Sequence, residues 1–129
     1  MILDTCFIID LLNNQEDAVR KAQELERKNI PLFTTSITVF EIWQGVADMN
    51  NKNKLARINI LLEGLALLNL DCENAKIGGG IHSELYTQGK PIQPEDSMIA
   101  GICLKERQKL LTKNKKHFGR IKGLELEIY

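Results

Sequence analysis

Residues 1–12 read MILDTCFIIDLL, an apolar strand run directly into an apolar helix with an acid at the joint. Met1–Thr5 has the character of a short buried strand, with Asp4 near its carboxyl end. Phe7, Ile8, Leu11 and Leu12 then fall together on one helical face. A strand followed at once by a helix is half of a βαβ unit, and the rest of the chain repeats the alternation.

Gln15–Lys28 continues as a helix with Val19, Ala22 and Leu25 on one stripe, ended by Asn29 and Pro31. Pro31–Ser36 is expected as a second strand, with Ser36 as N-cap of a helix carrying Val39, Phe40, Ile42, Trp43 and Val46. Asn50–Lys54 reads as a polar turn, Lys54–Gly64 as a helix with Leu55, Ile58, Leu61 and Leu62, Ala66–Leu70 as a third strand, and Glu73–Gln88 as a further helix. That helix contains Gly78, Gly79 and Gly80, each costing up to ~1 kcal/mol relative to alanine. No GK[ST] and no GxGxxG spacing accompanies them, which excludes a phosphate loop, and close packing against the sheet is the expected reason for them. Gly89–Pro94 is a loop, Glu95 and Asp96 open a helix through Ile102 and Cys103, and Lys109–Thr112 is a fourth strand. The final LELEI, Leu124–Ile128, alternates as a half-exposed edge strand does. The expected class is α/β, a mainly parallel sheet of four to five strands with helices on both faces.

At 129 residues the chain fits one compact domain over residues 1–129. Its 43% hydrophobic and 26% charged content is that of an ordinary globular protein, and no apolar run reaches the ~18 residues that span a bilayer. Asp4 and Asp10 interrupt the opening apolar stretch and no basic region leads it, so a secretory signal is not expected and a cytoplasmic location is. Cys6, Cys72 and Cys103 form no CxxC pair, and each stands among apolar neighbours, as buried reduced thiols do. Net charge is zero, but Lys105, Arg107, Lys109, Lys113, Lys115, Lys116, Arg120 and Lys122 crowd one stretch with Glu106 the one acid among them. A solvated face is the simpler account of that run, a phosphate track the sharper one.

In a parallel sheet, strand carboxyl ends and the helices that follow them share one edge, where ligands bind. Asp4 ends the first strand, Glu41 lies early in the helix after the second, Asp96 opens the helix feeding the fourth, and Asn114 follows that strand. Taken singly, helix capping explains Asp4 as well as metal binding does, and a favourable charge at a helix N-terminus explains Asp96. Glu41, inside ITVFEIW, is harder to place as a surface charge. Together, clustered carboxylates repel unless a cation neutralises them, and hard oxygen donors select Mg²⁺ or Mn²⁺. A metal-activated water could then attack a phosphodiester.

Four segments resemble, in order, the motifs of the PIN-domain family and of its VapC toxin branch: MILDTCFIIDLL, TTSITVFEIWQG, IQPEDSMIAGICL and LLTKNKKHFGRIKGLELE. The resemblance runs almost end to end. It implies a PIN-like three-layer α/β/α fold, metal-ligating roles for Asp4, Glu41 and Asp96, and small hydroxyls at Thr5 and Thr112 that orient the acids or a water. Asn114 departs from it, since many members carry aspartate there. Asp10 and Glu95 are spare acids with helix-surface or capping roles. The resemblance further implies an Mg²⁺- or Mn²⁺-dependent endoribonuclease leaving a 5′-phosphate and 3′-hydroxyl, a homodimer, and a VapB-type antitoxin that places a basic side chain in the acidic pocket. It directs Lys113, Lys115, Lys116 and Arg120 to RNA backbone. Phe40, Trp43, Val46, Leu55 and Ile58 offer apolar surface for the dimer. Two alternatives stand beside this reading: a non-catalytic PIN-like module that binds RNA or protein, and a metal-independent ribonuclease using histidines. For the second only His82 and His117 are available: His82 reads as a surface or packing residue, and His117 lies closer to the site, where it could touch substrate, with packing beside Phe118 its simpler role.

Overall fold

The computed structural model describes residues 1–129. The elements follow in the order β1 (Ile2–Leu3), α1 (Thr5–Leu12), α2 (Glu16–Arg27), β2 (Phe33–Thr35), α3 (Ser36–Val46), α4 (Lys52–Glu63), β3 (Ala66–Leu68), α5 (Cys72–Thr87), α6 (Pro94–Glu106), β4 (Leu110–Leu111), α7 (Lys115–Phe118) and β5 (Leu126–Glu127). The strands lie side by side as β3-β2-β1-β4-β5, and every pairing is parallel.

Alternation along the two central strands creates the layers, because successive strand side chains point to opposite faces. Ile2 and Leu110 belong to one core with Leu85 of α5, Ile99 and Ile102 of α6 and Phe118 of α7. Leu3 and Leu111 belong to the other, with Phe7 and Ile8 of α1, Ala18 and Leu25 of α2, Ile42 and Val46 of α3 and Ile58 of α4. The sheet is thus covered on both faces, the three-layer α/β/α arrangement expected. The chain begins in the middle of the sheet, builds outward through β2 and β3, then crosses to the far side of β1 for β4 and β5. The direction of winding reverses between β1 and β4, and in open α/β sheets the crevice at such a reversal is where ligands bind.

Several local expectations are corrected. Thr35, not Ser36, caps α3: its hydroxyl accepts the Thr38 N–H at 3.0 Å, while Ser36 Oγ accepts the Leu70 N–H at 3.1 Å and ties α3 to the chain after β3. Asn51 caps α4 through the Lys54 N–H at 3.0 Å, so the helix claims residues expected in the polar turn. Of the three consecutive glycines of α5 only Gly78 is closely packed, and it faces a helix rather than the sheet. A Cβ on Gly78 would stand 2.7 Å from the Ser97 carbonyl oxygen of α6, whereas Gly79 and Gly80 have nothing within 4 Å. Cys72 is exposed at the start of α5, Cys6 is partly covered, and only Cys103 is buried. Val46 and Ile58 sit in the core and Leu55 packs against it, which leaves Phe40 and Trp43, 57% and 43% exposed, as the apolar surface of that group. No helix is long and apolar enough to cross a membrane.

Candidate active site

Asp4 stands where β1 ends and α1 begins, and it is 4% exposed. Its backbone is extended and its Oδ1 accepts the Thr5 N–H at 2.8 Å, the capping role foreseen for it. Capping uses one oxygen. The other, Oδ2, accepts the Thr112 hydroxyl at 2.5 Å and the Cys6 thiol at 3.0 Å. Thr112 follows β4, so this bond joins the two strands that flank the winding reversal.

Glu41 arrives from α3. Its Oε2 accepts the Thr5 hydroxyl at 2.5 Å, so Thr5 holds Asp4 by its backbone and Glu41 by its side chain. Burial pushes the Glu41 carboxyl above its ordinary range; the Thr5 hydrogen bond works against this, and the charges of Asp4, Asp96 and Glu95 add to it. Asp96, in the first turn of α6, is also raised by burial, opposed by a hydrogen bond from His117 and reinforced by the charge of Asp4. Asp4, Glu41 and Asp96 are therefore brought within mutual electrostatic reach from three separate elements, as expected.

The raised values fix the sign of a pH effect. Folding raises both carboxyls, so the folded chain binds their protons more tightly than the unfolded chain does. The stability they contribute is full below the ordinary glutamate and aspartate values of about 4 and is lost as pH rises through the folded ones. Glu41→Gln keeps an acceptor for Thr5 and removes the charge. It is expected to melt above the parent at pH 7, with the difference vanishing near pH 4; a lower melting temperature at pH 7 would contradict the assignment.

Asn114 is placed differently from the expected fourth corner. It is the N-cap of α7, its Oδ1 accepting the His117 N–H at 3.4 Å, and its own N–H donates to Thr112 Oγ1 at 2.9 Å. The residue that reaches the acids from this turn is His117, whose Nδ1 lies 2.8 Å from Asp96 Oδ2. Sequence reasoning put His117 near the site, with packing beside Phe118 as its simpler role, but did not pair it with Asp96; α7 is four residues long and leaves no periodic trace. His82 pairs instead with Ser97 Oγ at 3.1 Å and with none of the three acids.

Of the basic candidates, Lys113 is paired with Asp10 at 2.5 Å, and Asp10 also accepts the Tyr129 hydroxyl at 2.9 Å. Lys113 accordingly holds the Asp10 carboxyl below its usual range. Asp10 is a tether rather than a spare ligand. Arg120 donates to the Pro91 carbonyl at 3.1 Å, while Lys115 and Lys116 are exposed on α7.

The donor set bears on a cation. No three His, Cys, Asp or Glu groups are placed to share one ion, so the acids are not a preformed cage. Mg²⁺ needs none, because it keeps several waters and takes one or two carboxylates with substrate oxygens. The neighbouring thiol does not compete: burial and the Asp4 charge push Cys6 up, and a protonated thiol is a poor ligand. One buried and two half-buried carboxylates in mutual repulsion, with the Thr5 and Thr112 hydroxyls beside them, fit a hard divalent cation.

A PIN domain family model matches residues 1–124. The tRNA(fMet)-specific endonuclease VapC of Shigella flexneri is 31% identical over 128 residues, covering 98% of this chain and 95% of that protein. The crystal structure of DNA-bound VapBC from Salmonella typhimurium is similar with a TM-score of 0.88 at 28% identity, over 98% of this chain and 96% of that one. That of VapBC2 from Rickettsia felis bound to a DNA fragment from its promoter gives 0.87 at 28% identity, over 99% and 97%.

Proposed function

The chain belongs to the PIN-domain family, and from that premise we propose that it is an endoribonuclease toxin of the VapC type, hydrolysing RNA phosphodiester bonds at Asp4, Glu41 and Asp96 with Mg²⁺ or Mn²⁺. The observation that supports the reading most is that carboxylates from β1–α1, α3 and α6 come within electrostatic reach of one another at the winding reversal, with burial and mutual repulsion raising two of them. Relatives named as VapC nucleases, and structures of VapBC assemblies, support it.

Asp4 and Asp96 would hold the cation, with Glu41 as a third donor through water. When bound, such a cation supplies Lewis-acid chemistry, offsetting phosphodiester charge and acidifying water. The chain's own residues do the rest. Thr5 fixes Asp4 and Glu41 relative to each other, Thr112 fixes Asp4 against β4, and Glu41, the carboxyl with raised proton affinity, is suited to accept a proton from the attacking water. Lys115 and Lys116 are free to meet RNA phosphates across the same edge.

The partner follows from the same reading: a small VapB-type antitoxin holds the enzyme inactive, a basic side chain entering the acidic edge. A homodimer is proposed with Phe40 and Trp43 as the exposed apolar surface. Sedimentation at micromolar concentration should show the dimer, and monomer alone would count against it.

The absence of a preformed three-group cage favours one alternative, a module that binds RNA without cutting it. Incubating structured RNAs with Mn²⁺ and the wild-type chain, its Asp96→Asn variant, or wild type with EDTA separates the two. Cleavage by wild type alone is expected. Equal cleavage in all three would remove both the metal and Asp96 from the mechanism, and none by wild type would favour the binding module.

A further inference from the structure

The three acids are held very unequally. Asp4 accepts from the Thr5 N–H, the Thr112 hydroxyl and the Cys6 thiol, and Glu41 accepts from the Thr5 hydroxyl. Asp96 has one partner, His117 Nδ1, on Oδ2. We propose that His117 is a positioning residue for Asp96: its Nδ1–H holds one carboxylate oxygen and so leaves the other with both lone pairs for the cation and its waters. The assignment rests on the nuclease reading above and adds to the site a residue that neither composition nor helical periodicity reveals.

Three features carry it. The first is the state of Asp96 itself. Its side chain is 14% exposed, and the terminal torsion of an aspartate is broad and only weakly preferred. Without a donor that carboxylate would turn freely in a poorly solvated place; with one it has a single orientation.

The second is that the position of His117 is over-determined. Its N–H faces both Asn114 Oδ1 and the Asn114 carbonyl, at 3.4 and 3.3 Å. The next residue, Phe118, is fully buried in the core shared with Ile99 and Ile102 of α6. Gly119 then closes the turn so tightly that a Cβ there would stand 2.6 Å from the Lys115 carbonyl oxygen. A turn this constrained would not be needed to hold a surface imidazole.

The third is continuity. Thr112 Oγ1 donates to Asp4 Oδ2 and accepts from the Asn114 N–H, and Asn114 in turn caps the N–H of His117. A line of polar contacts therefore runs from Asp4 through Thr112, Asn114 and His117 to Asp96. The turn after β4 spaces the two acids by touching both.

The test uses the full chain with His117→Ala, His117→Asn and His117→Gln, because the asparagine amide nitrogen lies where Nδ1 does and the glutamine amide where Nε2 does. Mn²⁺ alone is titrated by calorimetry, RNA cleavage is then resolved into kcat and KM, and circular dichroism melts report the fold. His117→Ala is expected to weaken Mn²⁺ binding by about 10- to 100-fold, the usual effect of removing a partner that orients a ligand. It should lower kcat more than it alters KM. Asparagine should restore both and glutamine neither; should the alanine variant fail to fold, the asparagine and glutamine pair carries the comparison. Rescue by glutamine instead would mean that Nε2 meets the substrate and would overturn the assignment. So would wild-type Mn²⁺ affinity in all variants of a chain that binds the ion and cleaves RNA. A wild-type chain that does neither removes the nuclease reading and this assignment with it.

Discussion

Asp4→Asn should lower RNA cleavage by about 10³-fold or more while changing stability by about 1 kcal/mol. The activity figure follows from several kcal/mol of charge stabilisation at a metal-assisted site, at 1.36 kcal/mol per decade of rate. The stability figure is small because asparagine keeps an oxygen for the Thr5 N–H, and asparagine and aspartate are comparable N-caps. What it loses is one acceptor facing the Thr112 hydroxyl and the Cys6 thiol, a cost of about one hydrogen bond. Asp4→Ala is the poorer experiment, since it removes the cap and strands the buried Thr112 hydroxyl as well. Initial rates on RNA and thermal melts on the same preparations give the answer. Activity within tenfold of wild type would reduce Asp4 to a helix cap.

The largest expected loss of stability lies where no chemistry is done. A Cβ on Gly101 of α6 would stand 2.4 Å from the Asn74 carbonyl oxygen and 2.7 Å from the Gly78 nitrogen, both backbone atoms of α5. Nothing there can rotate away, so Gly101→Ala must push the two helices apart, at a cost of about 3 kcal/mol. That is a large part of the 5 to 15 kcal/mol that typically holds a domain together. Gly79→Ala is the matched control: its site is open, and the better helix former should add up to about 1 kcal/mol. Urea denaturation of the pair should show opposite signs, and a shared sign would mean that the α5–α6 approach is not the constraint. Because Asp96 lies in the first turn of α6, Gly101→Ala should also reduce cleavage, to the fraction of wild type that remains folded.

The architecture was legible because strand and helix alternate along the chain and each announces itself by period. Ile2 and Leu3, or Leu110 and Leu111, read as continuous apolar runs, as strands covered on both faces do. Asp4, Glu41 and Asp96 were found for a related reason, since position after a parallel strand predicts position in space. What escaped is local or very distant. Thr35 and Ser36 are equally good caps on paper, and only the path of the chain after β3 decides which hydroxyl turns inward. Cys72 was expected buried like the other thiols, but, flanked by Asp71 and Glu73, it begins a helix at the surface. Lys113 looked free for RNA because its partner, Asp10, is 103 positions away. Asn114 and His117 exchanged roles because a turn of four residues carries no pattern that shows which side chain caps and which reaches outward.

The strand order has a consequence for the timing of synthesis. The central strand is made before its neighbours, yet the hydroxyl that pairs with Asp4 lies 108 positions later. Chains emerge N-terminus first at about 5–20 residues per second. For most of that interval β1 has no neighbour on its β4 side, and Asp4 has neither Thr112 nor the turn that leads to Asp96. A ribosome-bound or prematurely released chain that stops short of Thr112 lacks the hydroxyl that holds Asp4 against β4. The edge that gathers the acids is therefore completed only once the turn after β4, with Thr112, Asn114 and His117, is free to fold.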